Sequence, residues 1–218
     1  MQKLDGPRIV PKAGRPNALV VLLHGYGADG TDLISLAHQW QPVLGQAAFV
    51  APNAPEPLPM AAGMGGLQWF PLTLRDPSEY WRGANEAGPA LDAFLDEELR
   101  RHDLPANRLA LVGFSQGTMM ALHVGVRRGV PPAAIVGYSG TVAGFEHVPE
   151  SVGEHPAIML VHGEADEVVP VDALDMTREA LASRGHLVEW HRRPDLAHGI
   201  DPVGLALGGH FLARCLGR

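Results

Sequence analysis

Short unbroken apolar runs alternate with longer stretches whose apolar positions recur every three or four residues. Residues 18–23 (ALVVLL) have no polar position, the pattern of a strand buried on both faces. Residues 47–51, 109–113, 134–138 and 157–161 repeat that pattern, and residues 187–192 alternate apolar and polar, which predicts an outer strand with one covered face. Between them the periodicity predicts helices. In residues 90–101, Leu91, Phe94, Leu95 and Leu99 fall on one helical face. Residues 116–128, 172–183 and 202–216 read the same way. Strand–helix alternation of this kind predicts an α/β fold with a mainly parallel sheet and helices on both faces.

One segment breaks the rhythm. Residues 52–88 hold six prolines and five glycines, too long for a plain connection. They also carry Trp69, Phe70, Tyr80 and Trp81, a composition that disfavours simple disorder. The expectation is one domain over residues 1–218 with a substrate-facing Pro/Gly-rich insertion at about 52–88.

Composition narrows the function. The chain has 218 residues and a net charge of −7, which disfavours a nucleic-acid partner or an anionic membrane surface. It has one cysteine, Cys215, so an intramolecular disulfide is excluded. Residues 1–15 carry five charges and no apolar core of a signal peptide, and no run of 18 apolar residues occurs. A cytoplasmic protein without stable membrane insertion is expected.

The chemistry concentrates around Ser115. Gly113-Phe114-Ser115-Gln116-Gly117 fits G-x-S-x-G and stands where it should, after a predicted strand and before a predicted helix. A serine there occupies a tight turn with its hydroxyl lifted above the sheet, and side chains at 113 and 117 would crowd that turn. A plain helix N-cap is the competing role for Ser115. Ser139 also follows a strand, but Thr141 replaces the last glycine, so Ser139 reads as a loop residue.

A serine hydroxyl needs a base. His198, in the loop between the last strand and the last helix, is at the right end of the sheet, whereas His186, His191 and His210 are not. The expected chain order is serine, acid, histidine, which puts the acid after the preceding strand. Asp166 is there, with Glu164 and Glu167 as rivals, and Asp172, Asp175 and Asp195 less well placed. Leu23-His24-Gly25-Tyr26-Gly27 ends the first strong strand. The N–H groups of Tyr26 and Gln116 are therefore expected to form the oxyanion hole, with His24 bracing the loop by hydrogen bonds.

LHGYGADGTDL (23–33), the Ala51-Pro52-Asn53-Ala54-Pro55 turn, GFSQG (113–117) and HGEADEVVP (162–170) together resemble the small carboxylesterases, lysophospholipases and acyl-protein thioesterases of the α/β-hydrolase superfamily. The resemblance implies Ser115, Asp166 and His198 as a triad, Tyr26 and Gln116 as the hole, and a shallow apolar acyl groove near Trp69 and Phe70. Met60, Met64 and Leu67 extend the expected apolar wall. Three positions depart from the pattern: Thr118 and Asp195 stand where glycine is common, and Pro71 where aspartate is common. These departures bear on the substrate-facing walls more than on the triad.

The expected activity is hydrolysis of small carboxylic esters or thioesters through an acyl-enzyme on Ser115, rising with pH as the base loses its proton. Lysophospholipid and acyl-protein thioester are alternative substrates for the same triad, and a non-catalytic binding scaffold is the rival from another class. No metal or organic cofactor is expected. Apolar residues exposed at the groove are compatible with a homodimer.

Overall fold

The computed structural model describes residues 3–59 and 65–217. A seven-stranded sheet forms its centre, built from β1 (Arg8–Ile9), β2 (Ala18–Leu23), β3 (Ala47–Val50), β6 (Leu109–Phe114), β7 (Ala134–Tyr138), β8 (Ala157–Gly163) and β9 (Val188–Arg193). The order across the sheet is β1-β3-β2-β6-β7-β8-β9. All neighbours are parallel except β1, which runs antiparallel to β3. This is the mainly parallel α/β sheet anticipated from the alternating pattern, in the α/β-hydrolase form that the resemblance implies.

Alternation of side chains explains the unbroken apolar strands. Leu19, Val21 and Leu23 of β2 point into one hydrophobic core, and Ala18, Val20 and Leu22 into the other. The first core is closed by α3 (Pro77–His102), α4 (Gln116–Gly125) and α5 (Asp172–Ser183). The second is closed by α1 (Gly30–Ile34), α2 (Leu36–Trp40) and α6 (Pro202–Leu216). Each fully buried Leu or Val contributes about 1.5–3 kcal/mol, so both faces of β2 and β6 bind helices firmly. By contrast β9 is an edge strand, and its alternating sequence matches its half-exposed setting.

The structure revises the expected insertion. Helix α3 starts at Pro77, thirteen positions before the periodic run that announced it at 90, and runs to His102. Its start is well marked: Asp76 caps the N–H of Glu79 at 2.8 Å and Pro77 occupies the first turn. Gly83 and Gly88 are packing positions here. A Cβ on Gly83 would lie 2.3 Å from the Phe70 ring, and one on Gly88 would lie 3.3 Å from the His123 ring. Pro89 is inside the helix and removes the N–H that the Asn85 carbonyl would accept. Among the described residues of the segment, 52–59 and 65–76 stay irregular, apart from a short antiparallel ladder of β4 (Glu56–Pro57) and β5 (Leu67–Gln68).

Among the described residues, no helix is long and apolar enough to cross a membrane.

Candidate active site

Parallel strands deliver their following loops to one edge of the sheet. Tyr26 follows β2, Ser115 follows β6, Asp166 follows β8 and His198 follows β9, so all four arrive at that edge.

Ser115 sits in a strained turn, with φ 54° and ψ −117°. Its side chain makes no capping hydrogen bond to α4, which argues against the plain N-cap role. Backbone proximity dictates both flanking glycines. A Cβ at Gly113 would be 2.3 Å from the Gly117 carbonyl oxygen, and one at Gly117 would be 1.9 Å from the Leu23 carbonyl oxygen. The turn is tied to the neighbouring strand by the Ser115 N–H donating to the Tyr138 carbonyl at 2.9 Å.

Thr118 is fully buried behind this turn, with its hydroxyl 2.8 Å from the Gly113 carbonyl and 2.9 Å from the Tyr138 carbonyl. It braces the elbow and does not face a substrate wall, contrary to expectation. Gly137 and Gly140 make room for it, since a Cβ on either would come within 2.6 Å of its side chain.

Asp166 is buried, and each of its oxygens is used. Oδ1 accepts the N–H groups of Val168 and Val169, both at 2.9 Å. Oδ2 lies 2.8 Å from His198 Nδ1 and 3.4 Å from His162 Nε2. Burial raises the Asp166 pKa, but the Val169 N–H, His198 and the Val168 N–H outweigh it and hold the group below the ordinary aspartate value. Glu164, Glu167, Asp172 and Asp195 are exposed, and Asp175 pairs with Arg192. Of the rival acids, only Asp166 is both buried and aimed at His198.

His198 is carried by a loop fastened to the acid loop. The N–H of Ala165 donates to the Leu196 carbonyl at 3.0 Å, and that of Glu164 to the Arg193 carbonyl at 2.9 Å. Gly163 permits this approach, because a Cβ there would be 2.1 Å from the Leu196 oxygen. Asp195 adopts φ 56°, which accounts for the glycine common at that position. The imidazole packs on the ring of Phe114, the residue preceding Ser115, with centroids 4.9 Å apart. Ser139 lies in the loop after β7, where its hydroxyl supports the same segment by donating to the Gly199 carbonyl at 3.3 Å. The other candidate histidines stand elsewhere: His186 beside the Pro149 carbonyl, His191 beside Glu189, and His210 exposed on α6.

The Tyr26 loop is held from two sides. The Gly27 N–H donates to the Leu67 carbonyl and the Leu67 N–H to the Ala28 carbonyl, each at 2.9 Å, so β5 fixes the loop's direction. His24 is fully buried below it. Its Nε2 accepts the Ala54 N–H at 2.9 Å, which leaves Nδ1 as the donor to the Gly25 carbonyl at 2.8 Å. Burial lowers its pKa, in keeping with this neutral bracing role. Among the described residues, no acceptor is paired with the backbone N–H of Tyr26 or of Gln116.

Trp69 and Phe70 do not form the exposed groove expected of them. They are 1% and 2% exposed, enclosed by the core between α3 and the sheet. The Trp69 indole donates to the His24 carbonyl at 2.9 Å. The Gln116 side chain grips their backbone: Oε1 accepts the Trp69 N–H at 2.9 Å and Nε2 donates to the Phe70 carbonyl at 2.7 Å. This clamp, and the approach of His162 Nε2 to Asp166 while it pairs with the Val169 carbonyl at 2.8 Å, were not read from the sequence. The glutamine of GFSQG was its only visible trace. Met60 and Met64 lie outside the described residues, and Leu67 is partly buried against the core.

The site thus combines a hydroxyl on a strained turn, an imidazole oriented by a buried carboxylate, and two N–H donors. Acyl transfer requires that set.

The sequence profile of the Phospholipase/Carboxylesterase family matches residues 4–216. Acyl-protein thioesterase 1 of Neurospora crassa is 32% identical over 213 residues, covering 88% of this chain and 84% of that protein. Among solved structures, esterase PE8 is 38% identical with a TM-score of 0.91, covering 99% of this chain and 100% of that one. Zea mays acyl-protein thioesterase 2 shares the fold, with a TM-score of 0.79 at 24% identity over 97% of this chain and 98% of its own.

Proposed function

Because the chain belongs to the phospholipase/carboxylesterase family of α/β-hydrolases, we propose that it hydrolyses carboxylic esters and thioesters through Ser115, His198 and Asp166. It is a serine hydrolase acting on ester bonds, and we read the chain as a single domain of that fold. The observation that carries the residue assignment is the 2.8 Å contact of His198 Nδ1 with buried Asp166, beside a serine at φ 54°.

The steps follow from the geometry. Asp166 engages Nδ1, which leaves Nε2 of His198 free to take the proton of Ser115 Oγ. Oγ attacks the carbonyl carbon, and the N–H groups of Tyr26 and Gln116 receive the negative charge that develops on its oxygen. Each such donor is worth about 2.7–4 kcal/mol in the transition state. His198 passes its proton to the departing alcohol or thiol, the bond to that leaving group breaks, and an acyl-enzyme remains. Water then repeats the sequence and releases the acid.

The apolar surroundings and the likeness to acyl-protein thioesterases support small apolar esters and thioesters as substrates, with lysophospholipid or acyl-protein thioester as the alternative. The test is Ser115→Ala. Turnover of an aryl acetate and labelling by a fluorophosphonate should both vanish while the unfolding midpoint stays close to that of the parent. Retention of either activity overturns the assignment.

A further inference from the structure

A cavity of about 230 Å³ opens beside the triad, on the side of the sheet covered by α1 and α6. Ala28, Leu33, Phe114 and Ile200 give it mostly apolar walls. Gly25, Gly199, His24 and Asp32 complete it. Three of the lining residues are the chain neighbours of functional groups: Gly25 precedes Tyr26, Phe114 precedes Ser115, and Gly199 follows His198. Gly25 also stands directly against the elbow, where a Cβ would lie 3.3 Å from Ser115 Cβ and 3.1 Å from the Phe114 ring. Trp69 and Phe70, expected to face substrate, are enclosed in the opposite core.

We infer that this cavity binds the leaving-group half of the substrate, the alcohol or thiol side. The inference rests on the triad reading above. His198 must hand its proton to the leaving atom, so that atom departs on the imidazole side of the tetrahedral centre. The cavity begins at that side. The Phe114 ring packs on the imidazole at 4.9 Å, and Gly199 and Ile200 continue the chain from it. In the step itself, the bond from the carbonyl carbon to the leaving oxygen or sulfur breaks. The proton taken from Ser115 Oγ goes to that atom, and the apolar substituent it carries rests in the cavity.

Volume and charge set the chemical class. A closed apolar cavity of about 150 Å³ holds benzene, so this one takes a benzyl-sized or short branched alkyl group. Asp32 lies at the exposed rim and opposes leaving groups that bear a carboxylate.

The experiment uses two ester series on the purified full chain. Acetates of methanol, n-butanol, benzyl alcohol and 4-carboxybenzyl alcohol vary the leaving group. Methyl acetate and methyl butyrate vary the acyl group. In Ala28→Leu, which narrows the cavity, the ratio of kcat/KM for benzyl over methyl acetate falls roughly tenfold, while the butyrate-to-acetate ratio moves less than about twofold. An unchanged benzyl ratio, or a shift in the acyl ratio instead, overturns the inference.

Asp32→Asn is a second variant at an exposed position, independent of whether Ala28→Leu folds. It should improve 4-carboxybenzyl acetate relative to benzyl acetate by roughly threefold, the size of one screened surface charge. No change there also overturns the inference. Fluorophosphonate labelling separates the two levels of the argument. A labelled enzyme without these ratio changes refutes the cavity assignment alone, whereas parent enzyme that fails to label refutes the triad.

Discussion

Replacing Gln116 by methionine separates two jobs that one residue performs. Its backbone N–H belongs to the proposed oxyanion hole, and methionine keeps it. Its side chain holds the Trp69 N–H at 2.9 Å and the Phe70 carbonyl at 2.7 Å, and methionine, of similar length and unbranched, satisfies neither. Trp69 and Phe70 are nearly inaccessible, so water cannot replace these bonds without opening the core. An unsatisfied buried donor or acceptor costs about 1–3 kcal/mol, which gives about 2–6 kcal/mol for the two. That is a large part of the roughly 5–15 kcal/mol that holds a domain together. Urea unfolding at pH 7.5, followed by tryptophan fluorescence and circular dichroism, should show the lower midpoint with an unchanged slope. Fluorophosphonate labelling of the folded fraction should slow by less than tenfold, because the N–H is retained. A stability loss below about 0.5 kcal/mol would refute the claim that the clamp holds this segment.

Two further outcomes test the electrostatics. Asp166→Asn keeps an acceptor for Val168 and Val169 but offers an NH₂ group to His198 Nδ1, which forces the wrong tautomer. Steady-state kinetics should show kcat lower by about 10³–10⁴ with KM nearly unchanged, and a loss under tenfold contradicts the assigned role. His123 is buried against Trp81, and burial, with Arg127 nearby, lowers its pKa to about 4. The unfolded chain binds that proton near the ordinary value of about 6.5. This contribution to stability is therefore complete above that pH and is lost as pH falls towards 4. Unfolding free energies at pH 7.5 and 4.5 should differ by about 2–3 kcal/mol less in His123→Phe than in the parent, and an equal difference rules out His123 as the source.

The sheet was legible in the sequence because two covered faces leave no room for polar positions, as 18–23 and 109–113 show. The elbow and the order of Ser115, Asp166 and His198 were legible because glycines forced by backbone contact leave a fixed spacing. Helix α3 was not, since its first half carries the residues that ordinarily interrupt helices. Gly83 and Gly88 are there to let Phe70 and His123 approach, and composition cannot distinguish a packing glycine from a turn glycine. Trp69 and Phe70 were misplaced for a related reason. Aromatic residues in a Pro/Gly-rich segment suggest a binding wall, and only the long-range bonds from Gln116 and His24 reveal that they are core. Asp195 and Thr118 show that departures from a family pattern need not face substrate, because one adopts a glycine-like backbone angle and the other a buried bracing role.

The close approach of Gly117 to the Leu23 carbonyl also bears on the order of synthesis and assembly. The elbow rests on a strand made much earlier, and its acid and base lie on loops made much later and zipped to each other. A growing or clipped chain that ends before His198, in the loop between β9 and α6, thus has the serine but not the imidazole. On the triad reading, catalytic competence waits on the loops that carry Asp166 and His198, so turnover reports that the chain has been made through β9 and the loop after it.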